Sequence, residues 1–224
     1  IDIDNGTSAQ GGRTFGRWAT VGLSGKKWGE IQIGRRDSFT DELLGGFDAT
    51  GRNTVAQAAP IMTQNFSRYS NMIAYLSPIW SGLQIKAGVS TQADGQENER
   101  ATTSNNRIAT AAVNYINGPL KVGAVYEYNK VDSTSIASAQ DVGNSWIVAA
   151  GYNFGVVALS AEYGNISYSD DVGTIEKRKQ WTIGAMFDFT ATDRVSVNYA
   201  RGKNQFFDDR SDEKQRFWGV SYFH

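Results

Sequence analysis

Apolar and polar residues alternate with a period of two along much of this chain, and this pattern constrains the fold most. In the segment LKVGAVYEY at 120–128, the even-numbered positions are apolar or aromatic, whereas the odd-numbered positions include Lys121 and Glu127. The segments at 146–154, 157–163 and 181–189 follow the same rule. Because successive side chains of a strand point to opposite faces, each segment is predicted to be a strand between an apolar and an aqueous environment.

Eleven such segments predict an all-β protein with antiparallel strands. The 24 glycines, three prolines and 12% aromatic residues suit strands better than helices. The predicted strands lie at 13–23, 28–36, 67–77, 82–90, 106–115, 120–129, 145–154, 157–166, 178–189, 194–202 and 215–223. Tight turns such as SGKK and INGP alternate with long polar connections at 37–66, 91–105, 130–144, 167–177 and 203–214. This alternation is typical of transmembrane β-barrels, whose turns are short on one side and whose loops are long on the other.

Aromatic residues on the apolar faces lie near both ends of several strands, as Trp181 and Phe189 do. Eight steps of strand span roughly 26 Å, or about 20 Å along the membrane normal when the strand is tilted, which matches two aromatic girdles around a bilayer. A soluble β-sandwich or barrel with an apolar core is the alternative that periodicity alone leaves open. The loop asymmetry and the aromatic pairs favour the membrane barrel.

Several classes of function find no support in the composition. The chain has no cysteine, its single histidine is His224, and no nucleophile, phosphate-binding or zinc-protease motif occurs, so we expect neither an enzyme nor a cofactor. The net charge of -1 and the dispersed basic residues argue against a nucleic-acid partner. The acidic residues lack the ligand spacing of a calcium site, and no metal is expected.

The 30-residue connection 37–66, for which no regular structure is predicted, is the main candidate for a functional loop. It carries four acidic residues, and the neighbouring strands carry five arginines: Asp37, Asp41, Glu42 and Asp48, and Arg13, Arg17, Arg35, Arg36 and Arg68. An acidic loop folded inward against a basic wall would place a transverse field across a pore. The alternative is a solvated surface loop. Strand parity also places Lys86 on the polar, lumen-facing side.

The segments GRTFGRWATVGLSGKKWGEIQIGRR, TDELLGGFD and NFSRYSNMIAYLSPIWSGLQIKAGVST resemble the general trimeric porins of Gram-negative bacteria, particularly the β-proteobacterial type. The resemblance covers essentially the whole chain. It implies a sixteen-stranded barrel with its third loop folded into the lumen. Residues 1–224 would then be a single barrel domain incomplete at both ends, with three strands before it and two after. It further implies a homotrimer in the outer membrane, in contact with lipid, that passes ions and small hydrophilic solutes by passive diffusion.

The resemblance also suggests roles for individual residues. Arg17 and Arg68 match the basic cluster of the pore wall, Arg35 matches an arginine near the subunit contact, and Asp41 matches an acidic constriction residue. The family's Pro-Glu-Phe-Gly-Gly stretch is Glu-Leu-Leu-Gly-Gly at 42–46, so one acidic residue is lost and a mild anion preference is expected. A substrate-specific outer-membrane channel and a surface adhesin or receptor barrel are the alternatives.

Overall fold

The computed structural model describes residues 15–52, 54–62, 67–91, 93, 105–132, 142–169 and 173–224. Eleven antiparallel strands form one sheet in chain order, which confirms the predicted fold class. The elements are β1 (Ala19–Gly25), β2 (Gly29–Asp37), α1 (Phe39–Phe47), β3 (Arg68–Leu76), β4 (Leu83–Ser90), β5 (Asn105–Asn117), β6 (Leu120–Asp132), β7 (Val142–Asn153), β8 (Val157–Ser169), β9 (Thr174–Asp188), β10 (Arg194–Phe206) and β11 (Glu213–Phe223). Within the described residues, no helix has the length and hydropathy needed to cross a bilayer.

Strands β8 to β11 run further toward the long loops than the sequence predicts. The predicted connections 167–177 and 203–214 shrink to 170–173 and 207–212, because strand pairing continues into residues whose sequence predicts loops. The apolar alternation stops where both faces of a strand meet polar surroundings, although the backbone hydrogen bonds continue. The connection predicted at 130–144 likewise narrows to 133–141, which, like 94–104, lies outside the described residues.

The apolar face of the sheet is exposed and its polar face is buried, which is the reverse of the arrangement in a soluble protein. On the face that we call outward, Val21 is 74% exposed and Leu23 is 75% exposed. On the opposite, inward face, Glu127 and Asn198 are almost completely buried. A soluble barrel would bury its apolar face and expose its polar one. The distribution therefore supports the membrane barrel over the soluble alternative.

The segment after β2 lies on the inward face. α1 packs on β5 to β8, and the residues after it reach β10 and β11. Its buried apolar side chains supply seven of the seventeen residues of the described core, and nearly all the others lie on the strands beneath. The segment therefore crosses the polar face of the sheet, as the inward-folded loop prediction requires.

Candidate constriction site

Helix α1 is the element that the sequence prediction of 37–66 missed. Ser38 caps it, because the Ser38 hydroxyl accepts a hydrogen bond from the Asp41 backbone N–H at 2.9 Å. Asp41 and Glu42 in the first turn interact favourably with the positive end of the helix dipole. The local signal was therefore present as Ser-Phe-Thr-Asp, but Gly45 and Gly46 within nine residues lowered the apparent helix propensity.

The buried side of α1 contacts β6. The Thr40 hydroxyl donates to a carboxylate oxygen of Glu127 at 2.6 Å, and both groups are fully buried. Leu43 and Phe47 lie over Gly123, where a Cβ atom would collide with the Leu43 side chain. Glycine at this position therefore lets the helix approach the sheet closely, and the helix covers Glu127 from the lumen.

Asp48 organises the turn that follows α1. One oxygen of its carboxylate accepts hydrogen bonds from the Thr50 backbone N–H at 2.7 Å and the Thr50 hydroxyl at 2.6 Å, and the other accepts from the Ala58 N–H at 2.7 Å. The Asn198 amide on β10 donates to the same carboxylate at 2.9 Å. Asp48 is 6% exposed. We propose that Asp48, which the sequence places with the constriction acids, holds the loop to the wall instead of facing the lumen.

Contacts near β11 hold the far part of the segment. The hydroxyls of Thr54 and Ser221 lie 2.7 Å apart. A Cβ atom on Gly219 would lie 2.7 Å from the Ala56 backbone, so glycine is required for this close approach. The described part of the segment is thus fixed along its length, from β2 at one side of the sheet to β11 at the other.

Glu42 lies between two cations of the wall. It forms an ion pair with Arg36 on β2, and the Lys86 ammonium on β4 is 2.7 Å from its other oxygen. The Arg36 guanidinium is also positioned over the rings of Trp18 and Phe39, at 5.1 and 4.9 Å from their centroids. The structure thus brings the predicted residues Glu42 and Lys86 together, in a cluster with two positive charges and one negative.

The other two acidic residues each meet one arginine. Asp41 lies 2.6 Å from Arg52 within the loop, and Asp37 lies 2.9 Å from Arg68 across the start of β3. All four groups are partly exposed. Acidic and basic groups are therefore in direct contact here, and they do not stand on opposite sides of an open gap.

Arg17 and Arg35 lie apart from these pairs. Arg17 is exposed in the bend before β1, which begins at Ala19 and not at residue 13 as predicted. Arg35 pairs with Ala19 on β1. In this register Val21 and Ile33 face outward, so Arg35 also lies on the outward face of the sheet. It donates to the Gly16 carbonyl at 2.8 Å and to the Ser70 hydroxyl at 2.7 Å. Neither residue joins the described cluster beside α1.

Two cations at the site were not selected from the sequence. In the sequence Arg36 looks like the other arginines near the loop, and only the sheet register separates it from Arg35. Lys121 on β6 donates from its ammonium to the Gly46 carbonyl and lies 4.7 Å from the Phe47 ring centroid. Its inward parity was visible, but its contact with the loop, 75 residues away in the chain, was not.

Comparison with known proteins identifies the family. The family model described as Gram-negative porin matches residues 1–224. An outer membrane porin protein of Bordetella pertussis is 33% identical over 169 residues, which cover 71% of this chain and 44% of that protein. Outer membrane porin protein 32 of Delftia acidovorans is 29% identical over 219 residues, covering 93% of this chain and 59% of that protein.

The fold is similar to that of a solved anion-selective porin from Comamonas acidovorans. The TM-score is 0.61 at 20% identity, and the match covers 92% of this chain and 76% of that one. The chain spans about half the length of the curated relatives that it matches. The chain belongs to the Gram-negative porin family, and it is a β-barrel protein of the bacterial outer membrane.

Proposed function

We propose that the whole protein is a passive diffusion channel for ions and small hydrophilic solutes. The observation that carries this proposal is the polar inward face crossed by a firmly held loop segment. A polar lumen with an outward apolar band is the arrangement of water-filled outer-membrane barrels. The relatives named above are porins, and the proposal includes no catalytic step.

We also propose that residues 1–224 belong to a single barrel domain of sixteen strands, in which 37–66 forms the constriction. In the described sheet, β1 pairs only with β2, and β11 pairs only with β10. Further strands between these two edges would close the barrel, which removes exposed edges. The contacts of the loop from β2 to β11 support its role as the narrowest part.

A mild anion preference follows from the charges beside α1. Among the charged groups that keep some exposure, Lys86 and Lys121 together exceed the single charge of Glu42, and Lys121 contacts a neutral carbonyl. The pairs Asp41–Arg52 and Asp37–Arg68 each sum to zero. The carboxylates of Asp48, Glu127 and Glu162 are buried, so permeating ions do not meet them directly. The same holds for the guanidinium of Arg36. The net positive charge near the loop is expected to favour anions.

Planar-bilayer recording of the full-length protein tests the channel. A passive channel gives large, ohmic conductance steps that persist with many different small ions. Saturation by one solute at low concentration would indicate the alternative of a substrate-specific channel. Correctly folded and inserted protein without any conductance would contradict the proposal and favour an adhesin or receptor barrel.

Reversal potentials test the anion preference with a matched pair of variants. Lys121→Gln removes one positive charge beside the loop, whereas Lys26→Gln removes the same charge in the exposed β1–β2 turn. A unit charge about 8 Å from an ion in water changes its relative permeability roughly twofold. We expect the anion-to-cation permeability ratio to fall by that factor for Lys121→Gln and to stay constant for Lys26→Gln. An unchanged ratio in both variants would contradict the assignment.

We propose a homotrimer as the assembled state. The outward register of Arg35 supports this, because the family resemblance places the corresponding arginine near the subunit contact. Chemical cross-linking of the protein in outer-membrane vesicles would give a three-subunit product. An exclusively monomeric product, with the same cross-linker trapping a known porin trimer, would contradict it.

A further inference from the structure

Trp18 lies on the inward face of the sheet, at the long-loop end of β1. The register of β1 with β2 pairs Ala19 with Arg35 on the outward face, so the preceding residue, Trp18, lies beside Arg36 on the inward face. The indole is 45% exposed, although it is a large and mainly apolar side chain. The outward tryptophans of a membrane barrel meet lipid, whereas this one is exposed to the lumen.

The exposure of Trp18 does not depend on the open edge of the sheet. In the described sheet, β1 pairs only with β2. A further strand would pair with β1 through backbone hydrogen bonds in the plane of the sheet, and side chains stand roughly perpendicular to that plane. Closure of the barrel would therefore leave the lumen side of the indole open to water.

The structure holds the indole in one orientation. Its N–H donates to the Thr20 hydroxyl at 2.9 Å, and the Arg36 guanidinium covers one face of the ring at 5.1 Å from the centroid. Arg36 is itself fixed, because it donates to the Gln32 side chain at 2.6 Å, forms the ion pair with Glu42 and is 1% exposed. One face of the indole is thus held against the wall, and the opposite face can stack on a solute.

The cation behind the indole determines which solutes stack well on its opposite face. A guanidinium over an aromatic ring attracts the negative charge of the π system. The face away from Arg36 is therefore less negative than that of an isolated indole. Such a face is a poorer partner for the C–H groups of a sugar and a better one for an electron-rich ring. An aromatic carboxylate supplies both an electron-rich ring and a negative charge.

The charges near Trp18 also favour an anionic solute. Arg17, the neighbouring residue, is exposed in the bend before β1, and its long side chain can reach a carboxylate beside the indole. On the far side of Arg36, the Lys86 ammonium adds a further positive charge, and the two cations share the single carboxylate of Glu42. The potential around the indole is therefore positive on balance.

We propose that Trp18 and Arg17 form a binding site for aromatic carboxylates at the outer mouth of the lumen. The ring of the solute stacks on the face of the indole that Arg36 does not cover, and its carboxylate pairs with the Arg17 guanidinium. The proposal rests on the proposed function, because a solute reaches Trp18 only through a water-filled lumen. It deepens that function by naming a class of solute that the channel binds.

Equilibrium binding to the full-length protein in neutral detergent tests the site without any conduction. The probes at neutral pH are benzoate, cyclohexanecarboxylate and glucose; the second has the charge and nearly the size of benzoate but no planar ring. Trp18→Leu removes the indole and keeps an apolar side chain beside Arg36. Trp218→Leu is the matched control, because it removes a tryptophan that is 73% exposed on the outward face. Dissociation constants are measured by saturation-transfer NMR titration.

We expect the unmodified protein to bind benzoate roughly fivefold more tightly than cyclohexanecarboxylate, because a stacked aromatic pair contributes about that factor. Trp18→Leu should bind the two carboxylates equally, and Trp218→Leu should keep the preference. Equal binding by the unmodified protein, or a preference that persists in Trp18→Leu, would overturn the proposal. Tighter binding of glucose than of benzoate would also overturn it, because the indole would then be a platform for sugars.

Two further variants test the contacts separately. Arg17→Gln should weaken the binding of both carboxylates about threefold and leave their ratio unchanged, because both solutes carry the same charge. A changed ratio, or unchanged affinities, would contradict the role of Arg17. If Trp18→Leu does not fold, Thr20→Val releases the indole N–H from its acceptor, and the preference for benzoate should fall about twofold. An unchanged preference in Thr20→Val would then overturn the proposal.

Single-channel recording distinguishes failure of this proposal from failure of the proposed function. Conductance in potassium chloride without any solute tests the channel by itself. In a conducting protein, benzoate should reduce the current at concentrations where cyclohexanecarboxylate has little effect, and Trp18→Leu should abolish this difference. Conduction without such a difference would contradict the Trp18 site alone. Folded, inserted protein that does not conduct would contradict the proposed function, and the binding titrations would still decide the site.

Discussion

Charged side chains are arranged differently in two regions of this molecule. Beside α1, acidic and basic groups contact each other, as Glu42 contacts Arg36 and Lys86, and as Asp37 contacts Arg68. At the long-loop ends of β9 and β10, cations oppose cations, as at Lys203 and Lys179. The first region is covered by the chain's own loop, whereas the second faces the membrane.

The difference follows from how deeply the charges of each region are buried. Where a loop and a wall both come from one chain, burial requires opposite charges to be supplied internally. Where cations lie at exposed strand ends, water and salt screen their repulsion, so the chain need not supply a counter-charge. Variants that remove internal partners should therefore destabilise the site beside α1, whereas removal of one of the opposed lysines at the strand ends should not.

The largest effect is expected for Asp48→Ala, which removes the acceptor that holds the turn after α1. Loss of its hydrogen bonds to Thr50, Ala58 and Asn198 should cost about 3 kcal/mol of unfolding free energy. The loosened loop should also give noisier, larger conductance steps. Asp209→Ala in the exposed β10–β11 loop is the control. Equal stability of both variants would mean that Asp48 does not anchor the loop.

Glu42→Gln should have the next largest effect, since it leaves two cations beside α1 without their shared carboxylate. Arg36 is 1% exposed, so we expect about 2 kcal/mol lost in denaturant titrations. The anion-to-cation permeability ratio should rise roughly twofold. Lys86→Gln removes the positive partner from the same ion pair. The anion-to-cation permeability ratio of this variant should therefore fall. Shifts in the same direction would contradict the surplus of positive charge.

Gly219→Ala tests how closely the loop lies against β11. The added methyl group would meet Ala56, so the loop or the strand must move, at a cost of about 1 to 2 kcal/mol in thermal unfolding. Gly143→Ala is the matched substitution on β7, because its Cβ atom would make an ordinary contact of 3.4 Å with Tyr168. The loop contact would be refuted by equal melting temperatures.

The smallest effect is expected at the partly exposed pair of Asp37 and Arg68. The combination Asp37→Asn/Arg68→Gln should change stability by less than about 1 kcal/mol. Arg68→Gln alone should shift the reversal potential toward cations and Asp37→Asn alone toward anions, while the double variant should restore the original value. A lasting shift in the double variant would show that Arg68 acts on permeating ions independently of Asp37.

Much of the sheet could be predicted from the sequence, because each strand between lipid and water carries its own local signal. All eleven strands are found in this way, and the loop-side ends of β6 to β11 extend beyond the prediction, where both faces become polar. Helix α1 was missed although Ser38 and Asp41 mark its start. Its glycines hid a helix that packing on β6 stabilises.

The roles of the charged residues could not be predicted to the same extent. Arg35 and Arg36 are neighbours in the chain, yet a one-residue step places Arg36 beside Glu42 and Arg35 on the outward register. In the sequence, nothing distinguishes Asp48 from the other acidic residues of the loop. Only the fold brings it next to Asn198, which is 150 residues further along the chain. Residue type alone cannot distinguish a side chain that contacts permeating ions from one that holds the loop in place.

By itself, the sequence determined the number of strands, the apolar face of each strand and the environment that this face meets. Alternation is a local property, so it could be read without knowledge of the fold. The tertiary structure alone decided which charges pair beside α1 and which remain opposed at the long-loop ends of β9 to β11. Electrostatic pairing depends on distances of a few ångströms between residues far apart in the chain, and only the register of the sheet and the path of the loop determine those distances.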